Sequence, residues 1–195
     1  MHTMEGEFEV DGQRLSLKGM GARDHSSGQR DYAPFLGAYW AQVLFPSGRA
    51  LNVTMVSRMG ADLDTSYVTA DSRFGYVYWG DGSPLEEVEL LECQDIPRAN
   101  TPPGSVLSDP LLDPGRQAFD MVIKSSRGTH RISIERFRAI ASTYVPPHGE
   151  IGGTDFSKPD ALQQAKTVMR ATWDGETGHG MSDCVTRIKF LKQPG

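Results

Sequence analysis

The chain has 195 residues, 38% of them apolar and 23% charged, with a formal net charge of −5. That length supports a buried core without staples, and that composition excludes a disordered chain. The acidic balance argues against nucleic-acid binding, because no basic patch interleaved with aromatics offsets it.

In chain order, Glu7-Phe8-Glu9-Val10 and Arg14-Leu15-Ser16-Leu17 alternate around Asp11-Gly12, which predicts a hairpin. Gly19 to Pro34 is polar and glycine-rich and reads as a loop. Ala38 to Phe45 reads as a strand, Pro46-Ser47-Gly48 as a turn, and Leu51 to Val56 as a strand with Leu51, Val53 and Met55 on one face. Phe74 to Trp79 and Val88 to Leu91 flank the turn Asp81-Gly82-Ser83. Residues 94–115 carry five prolines and predict a long connection. Phe119–Ile123 and His130–Ile134 form a hairpin, and Thr167–Trp173 and Cys184–Phe190 a last pair. One short helix is expected near Lys158 to Ala165, capped by Ser157, with Pro159 in its first turn.

The 21 glycines and 12 prolines break the chain into short pieces of period two. Such a chain is all-β, a barrel or a sandwich, with at most one short helix, in one domain over residues 1–195. Cys93 and Cys184 have no metal-finger spacing and read as two buried thiols. No histidine pair has ligand spacing, so no metal and no cofactor is expected. The opening residues hold no apolar run of the signal-peptide kind, and no stretch reaches the ~20 apolar residues of a membrane helix. A cytoplasmic setting is therefore expected.

The densest polar group is Arg23-Asp24-His25-Ser26 with Arg30-Asp31-Tyr32. Arg and Asp form two-point ion pairs, and a carboxylate beside His25 sets its tautomer and raises its pKa. A nucleophilic Ser26 lacks the strand-turn-helix setting that chemistry needs. Two readings stay open: a salt-bridge knot closing a barrel end, or a polar cluster facing a cavity, with Asp24, His25 and Asp31 handling a proton. Glu87 and Glu89 share one strand face and read as solvated. Tyr39, Trp40, Met55, Tyr76, Tyr78 and Trp79 lie on predicted strands, where they pack a core or line a cavity; which face of the Tyr76–Trp79 strand is inward stays open. His179, between Gly178 and Gly180, reads as an exposed hairpin-tip residue.

The string Gly19-x-Gly21-x-Arg23-Asp24-His25-Ser26-x-Gly28-x-Arg30-Asp31-Tyr32, followed by Tyr39-Trp40, resembles the signature of the carotenoid 1,2-hydratase-like family. That family includes AttH-like and kievitone hydratase-like proteins. The run Trp173 to Asp183 is similar to its closing hairpin. Ser27 and Tyr32 stand where the family usually has Trp, and Asp183 where it has Glu. The resemblance implies a lipocalin-like antiparallel β-barrel, with Arg23, Ser26, Arg30, Tyr32 and His179 near a cavity. It also implies barrels that pair, with this chain supplying only the second of the two, so that it forms a homodimer, pairs with a second lipocalin-like domain, or works alone as a binder.

Three functions follow. The first is binding of a hydrophobic small molecule such as an isoprenoid, polyketide or lipid. The second is a cofactor-free hydratase, lyase or cyclase, in which Asp24 or Asp31 protonates an alkene and His25 handles water; neighbouring arginines oppose the raised carboxyl pKa this needs. The third is a structural domain that pairs barrels.

Overall fold

A computed structural model describes residues 2–21, 35–59, 68–93, 118–145 and 149–191. The Pro-rich connection expected at 94–115 lies outside them. The chain divides into two compact units, Met1–Arg30 and Asp31–Gly195.

The first unit is a hairpin of β1 (His2–Val10) and β2 (Gln13–Gly21), paired from His2↔Gly21 to Val10↔Gln13. Asp11 (φ 50°) and Gly12 (φ 74°) turn the chain. Two successive positive φ values match the right-handed twist of the strands, which is why Asp-Gly serves here. One face carries Met4, Phe8, Val10, Leu15 and Leu17. The other carries Glu5, Glu7, Glu9, Arg14 and Lys18, with ion pairs Lys18–Glu5 at 2.8 Å and Arg14–Glu7 at 3.8 Å.

The second unit contains β3 (Phe35–Leu44), β4 (Ala50–Met59), β5 (Val68–Tyr78), β6 (Glu86–Glu92), β7 (Ala118–Ser125), β8 (Gly128–Val145), β9 (Gly149–Gly152), β10 (Leu162–Trp173) and β11 (Glu176–Arg187). All pairings are antiparallel, in the order β10-β11-β3-β4-β5-β6-β7-β8-β9, and β10 also pairs with β8. That last pairing closes eight strands into an up-and-down barrel of the lipocalin-like kind. The free edge of β8 is shared: β7 takes residues 128–135 and β9 takes 142–145.

Alternation decides the inside. Tyr39, Ala41 and Val43 on β3, Leu51, Val53 and Met55 on β4, and Ile132 and Ile134 on β8 are all buried. On β5 the inward face is that of Gly75 and Val77, which leaves Phe74, Tyr76 and Tyr78 outside. The pairing Met169↔Arg136 and Val168↔Arg138 leaves Phe137 as an extra residue on β8. This bulge switches the inward parity, so Arg136 before it and Thr143 after it are both buried.

The expected helix near Lys158–Ala165 is absent. The chain turns at Pro159-Asp160, with one amide of Ala161 donating to Lys158 O at 3.0 Å, and β10 starts at Leu162. From Leu162 onward β10 pairs with β8 and β11 on both edges, and Leu162, Gln163 and Ala165 are buried. Tertiary pairing therefore overrides the Ser-x-Pro-Asp start signal. The one helical segment among the described residues is a 3-10 turn, Ile188–Phe190. Around it Ala161, Ile188 and Leu191 form a small second core with Val145 and Phe156.

Four short turns meet at one end of the barrel, and aromatic rings seal it. Trp173 and Phe45 are fully buried, with ring centres 5.9 Å apart. Trp79 and His130 lie 5.5 and 5.2 Å from Trp173. Gly178 leaves the space that the Phe45 ring fills. Two matching clasps hold these turns. In one, Glu176 accepts hydrogen bonds from Ser47 N (2.6 Å), Ser47 Oγ (2.9 Å) and Arg49 Nη2 (3.0 Å), and the Arg49 guanidinium lies 4.1 Å from the Trp173 ring centre. In the other, Glu86 accepts from Ser126 N (2.5 Å) and Trp79 Nε1 (2.8 Å), while Arg127 stacks 4.2 Å from Trp79 and pairs with Asp81 at 2.8 Å. The Ser83 hydroxyl and amide, with Arg127, hold the Asp81 carboxyl far below its usual range.

Candidate functional site

Away from the aromatic floor, the inner wall becomes mixed. Arg136 of β8 is buried, and its guanidinium lies 4.7 Å from the Phe119 ring centre on β7 and 5.6 Å from that of Tyr39 on β3. The two rings meet edge-on at 6.4 Å. Three strands thus bring a permanent cation and two aromatic faces together inside the barrel, where cation–π attraction is strengthened by desolvation. Beside them Thr167 of β10 and Ser182 of β11 share a buried hydroxyl–hydroxyl hydrogen bond of 2.5 Å. Met55 and Cys184 flank Tyr39 in register, and Cys93 joins the same buried cluster. Both cysteines are buried, as their spacing suggested.

Other buried polar groups are tied up structurally. Thr143 Oγ1 donates to Gly153 O at 2.9 Å and accepts from Asp155 N at 2.8 Å. Gln163 Nε2 donates to Thr154 Oγ1 at 2.6 Å, and Arg187 donates to Phe35 O and Asp160 O at 2.6 and 2.7 Å. These bonds bind the segment before β10 to the wall. Asp155 is held at about 2 by Lys158, Ser157 Oγ and the Ser157 amide.

The residues expected from sequence fall in three places. Asp24, His25 and Asp31, with Arg23, Ser26, Arg30 and Tyr32, lie outside the described residues. Met55 faces inward, and Trp79 belongs to the floor, where its indole N–H is spent on Glu86. Trp40, Tyr78 and His179 face outward: Trp40 and Tyr78 are half-buried, and His179 is exposed. His179 sits within β11, opposite Arg170 and Leu44; the hairpin tip is Asp174-Gly175, with φ of 52° and 79°.

Opposite Trp40 in register stands Asp183. Gln164 Nε2 donates to its Oδ2 at 2.5 Å, and its Oδ1 is buried with no hydrogen-bond partner among the described residues. Burial pushes this carboxyl above its usual range, against the Gln164 bond and the Lys166 charge.

Arg136 and Phe119 were not singled out as site residues by sequence reasoning, and Tyr39 was read only as a core or cavity-lining strand residue. The signal was present: Arg136 continues the inward series Ile132, Ile134 at period two. No set of three or more histidines, cysteines or carboxylates able to hold a metal occurs among the described residues.

No family model matches the chain, and no curated protein matches it. Among solved structures it is similar to kievitone hydratase from Nectria haematococca, at 13% identity and a TM-score of 0.41. The match covers 93% of this chain and 49% of that one, so this chain spans about half its length.

Proposed function

We propose that the barrel binds a small, mostly apolar molecule that carries one anionic or strongly accepting group. The observation behind this reading is Arg136, a buried cation stacked on two aromatic rings inside the barrel. Eight-stranded barrels either fill with side chains or hold one small ligand. A guanidinium offers five donors in a planar fork, which matches a carboxylate or phosphate. Tyr39, Met55 and Phe119 supply the apolar contact.

The energetics assign the roles. Burying ~300 Å² of apolar ligand is worth roughly 7 kcal/mol, which association costs of ~4–15 kcal/mol consume wholly or in large part. A charge-assisted hydrogen bond adds about 1.5–3 kcal/mol, or ~10- to 100-fold in affinity. The polar anchor therefore sets specificity, and the apolar body supplies the base affinity.

The test is calorimetric titration of the full chain with oleate and with oleyl alcohol, supported by native mass spectrometry of the purified protein. Oleate should bind at least about tenfold tighter than the alcohol, and Arg136→Gln should bring the two together. Equal binding of both probes by the wild type, or binding of neither, overturns the reading.

A further inference from the structure

Arg136 marks a change in how tightly the barrel is filled. Met169 of β10 stands opposite it in register. From Met169 the strand runs on to Trp173 at the sealed end, a depth of ~13 Å. Along that depth Leu51, Val53, Val77, Met121, Ile132 and Met169 are each 1% exposed or less. They bare almost no surface, either to bulk water or to an internal space wide enough for a water. An interior packed to that density admits an extra methylene only by straining side chains and backbone. Around Arg136 the filling loosens: Arg136 is 5% exposed, Phe119 6% and Met55 3%.

Beyond Arg136 one side of the barrel is also taken. Thr143 of β8 and Gln163 of β10 are both buried there, and they are bonded to Gly153, Thr154 and Asp155. The remaining direction runs past Met55 and Phe119, toward the end where β4 finishes and β7 begins. We infer that the ligand lies acid-down, with its anionic group at Arg136 as its deepest part and its apolar body along that remaining direction. The inference rests on the anion-binding reading of Arg136 given above.

An acid at the deepest point sheds most of its water, and the guanidinium of Arg136 offsets that loss. The charge therefore has a fixed stopping place. The apolar body gains by lying against Met55 and Phe119, whatever its far end carries. The site then reads the acid and its first few carbons rather than the end of the chain. The ligand class is a terminal acid on an apolar body of open length. The reverse placement would drive the chain end into the filled zone between Arg136 and Trp173, at the strain cost of overpacking.

The experiment is photocrosslinking of the full chain with hexadecanoate carrying a diazirine at its last carbon, and with hexadecanoate carrying it beside the carboxylate. Adducts are mapped by peptide mass spectrometry, with and without excess oleate. The chain-end diazirine should mark Met55, Phe119 and residues beyond them at least about tenfold over Met121, Ile132 and Trp173. The diazirine beside the carboxylate should mark the residues around Arg136, Tyr39 and Phe119 among them. A chain-end diazirine that falls short of that ratio, or that favours the filled zone, overturns the inference. If oleate still binds tighter than oleyl alcohol in that case, the anion-binding reading stands and only the orientation is lost. Absence of any adduct that excess oleate competes away would instead remove the binding reading itself, and the inference with it.

Discussion

Arg49→Met tests whether the clasp at the sealed end holds the barrel shut. The Arg49 side chain is 11% exposed and reaches three groups: Glu176 Oε2 and Trp173 O at 3.0 Å each, and Asp174 Oδ2 at 3.3 Å. Its guanidinium also stacks on Trp173 and, at 5.0 Å, on Phe45. The bond to partly buried Glu176 is worth about 1.5 kcal/mol, the carbonyl bond about 1, and the ring stacking about 1.5. The Asp174 contact counts for almost nothing, because that carboxylate is mostly in water. Arg49 Nε, buried with no hydrogen-bond partner among the described residues, offsets about 1 kcal/mol. Methionine refills the stem volume, and Glu176 keeps its two bonds from Ser47. The expected loss is therefore about 3 kcal/mol, seen as a fall in Tm of about 6–12 °C for a unit of this size. Arg49→Lys should recover less than half, since an ammonium cannot both stack and fork. Urea unfolding followed by tryptophan fluorescence measures both. A loss under about 0.5 kcal/mol for Arg49→Met would refute the reasoning, and the clasp would be a surface ornament.

Two further outcomes follow from buried groups. Thr167→Val should cost about 2 kcal/mol by stranding the Ser182 hydroxyl, whereas Thr167→Val with Ser182→Ala should cost clearly less than the two single changes together; urea titration of the four proteins decides it, and strict additivity would argue against the pair. Asp183 has a raised folded pKa, so its protonated form favours the fold: that stability is fully present below the unfolded value of 3.8 and is lost as pH rises through the raised folded value. Asp183→Asn should therefore melt higher than wild type at neutral pH, with the gap closing as pH falls below 3.8; a gap that is constant with pH would remove burial as the cause.

Much of the barrel was legible in the chain itself. Leu51, Val53 and Met55 alternate and lie inside; Asp11-Gly12 turns a hairpin where expected; Cys93 and Cys184 are buried thiols. These features are local, because a period of two and a two-residue turn are written within a few adjacent positions. Where local signals competed, neighbours decided. Ser157, Pro159 and Asp160 mark a helix start, but strands on both sides draw Leu162 onward into the sheet. Gly178 and Gly180 read as a tip, yet they lie within β11, where Gly178 makes way for Phe45 and the turn is Asp174-Gly175.

The sequence by itself determined that the chain is a sheet protein with inward and outward faces, since burial of alternate side chains needs no knowledge of distant partners. Only the tertiary structure decided that β8 and β10 pair to close the wall, that the bulge at Phe137 keeps Arg136 and Thr143 both inside, and that Arg136 meets Tyr39 and Phe119. Arg136 and Tyr39 stand nearly a hundred positions apart, and their meeting depends on strand register and closure, which no local pattern encodes.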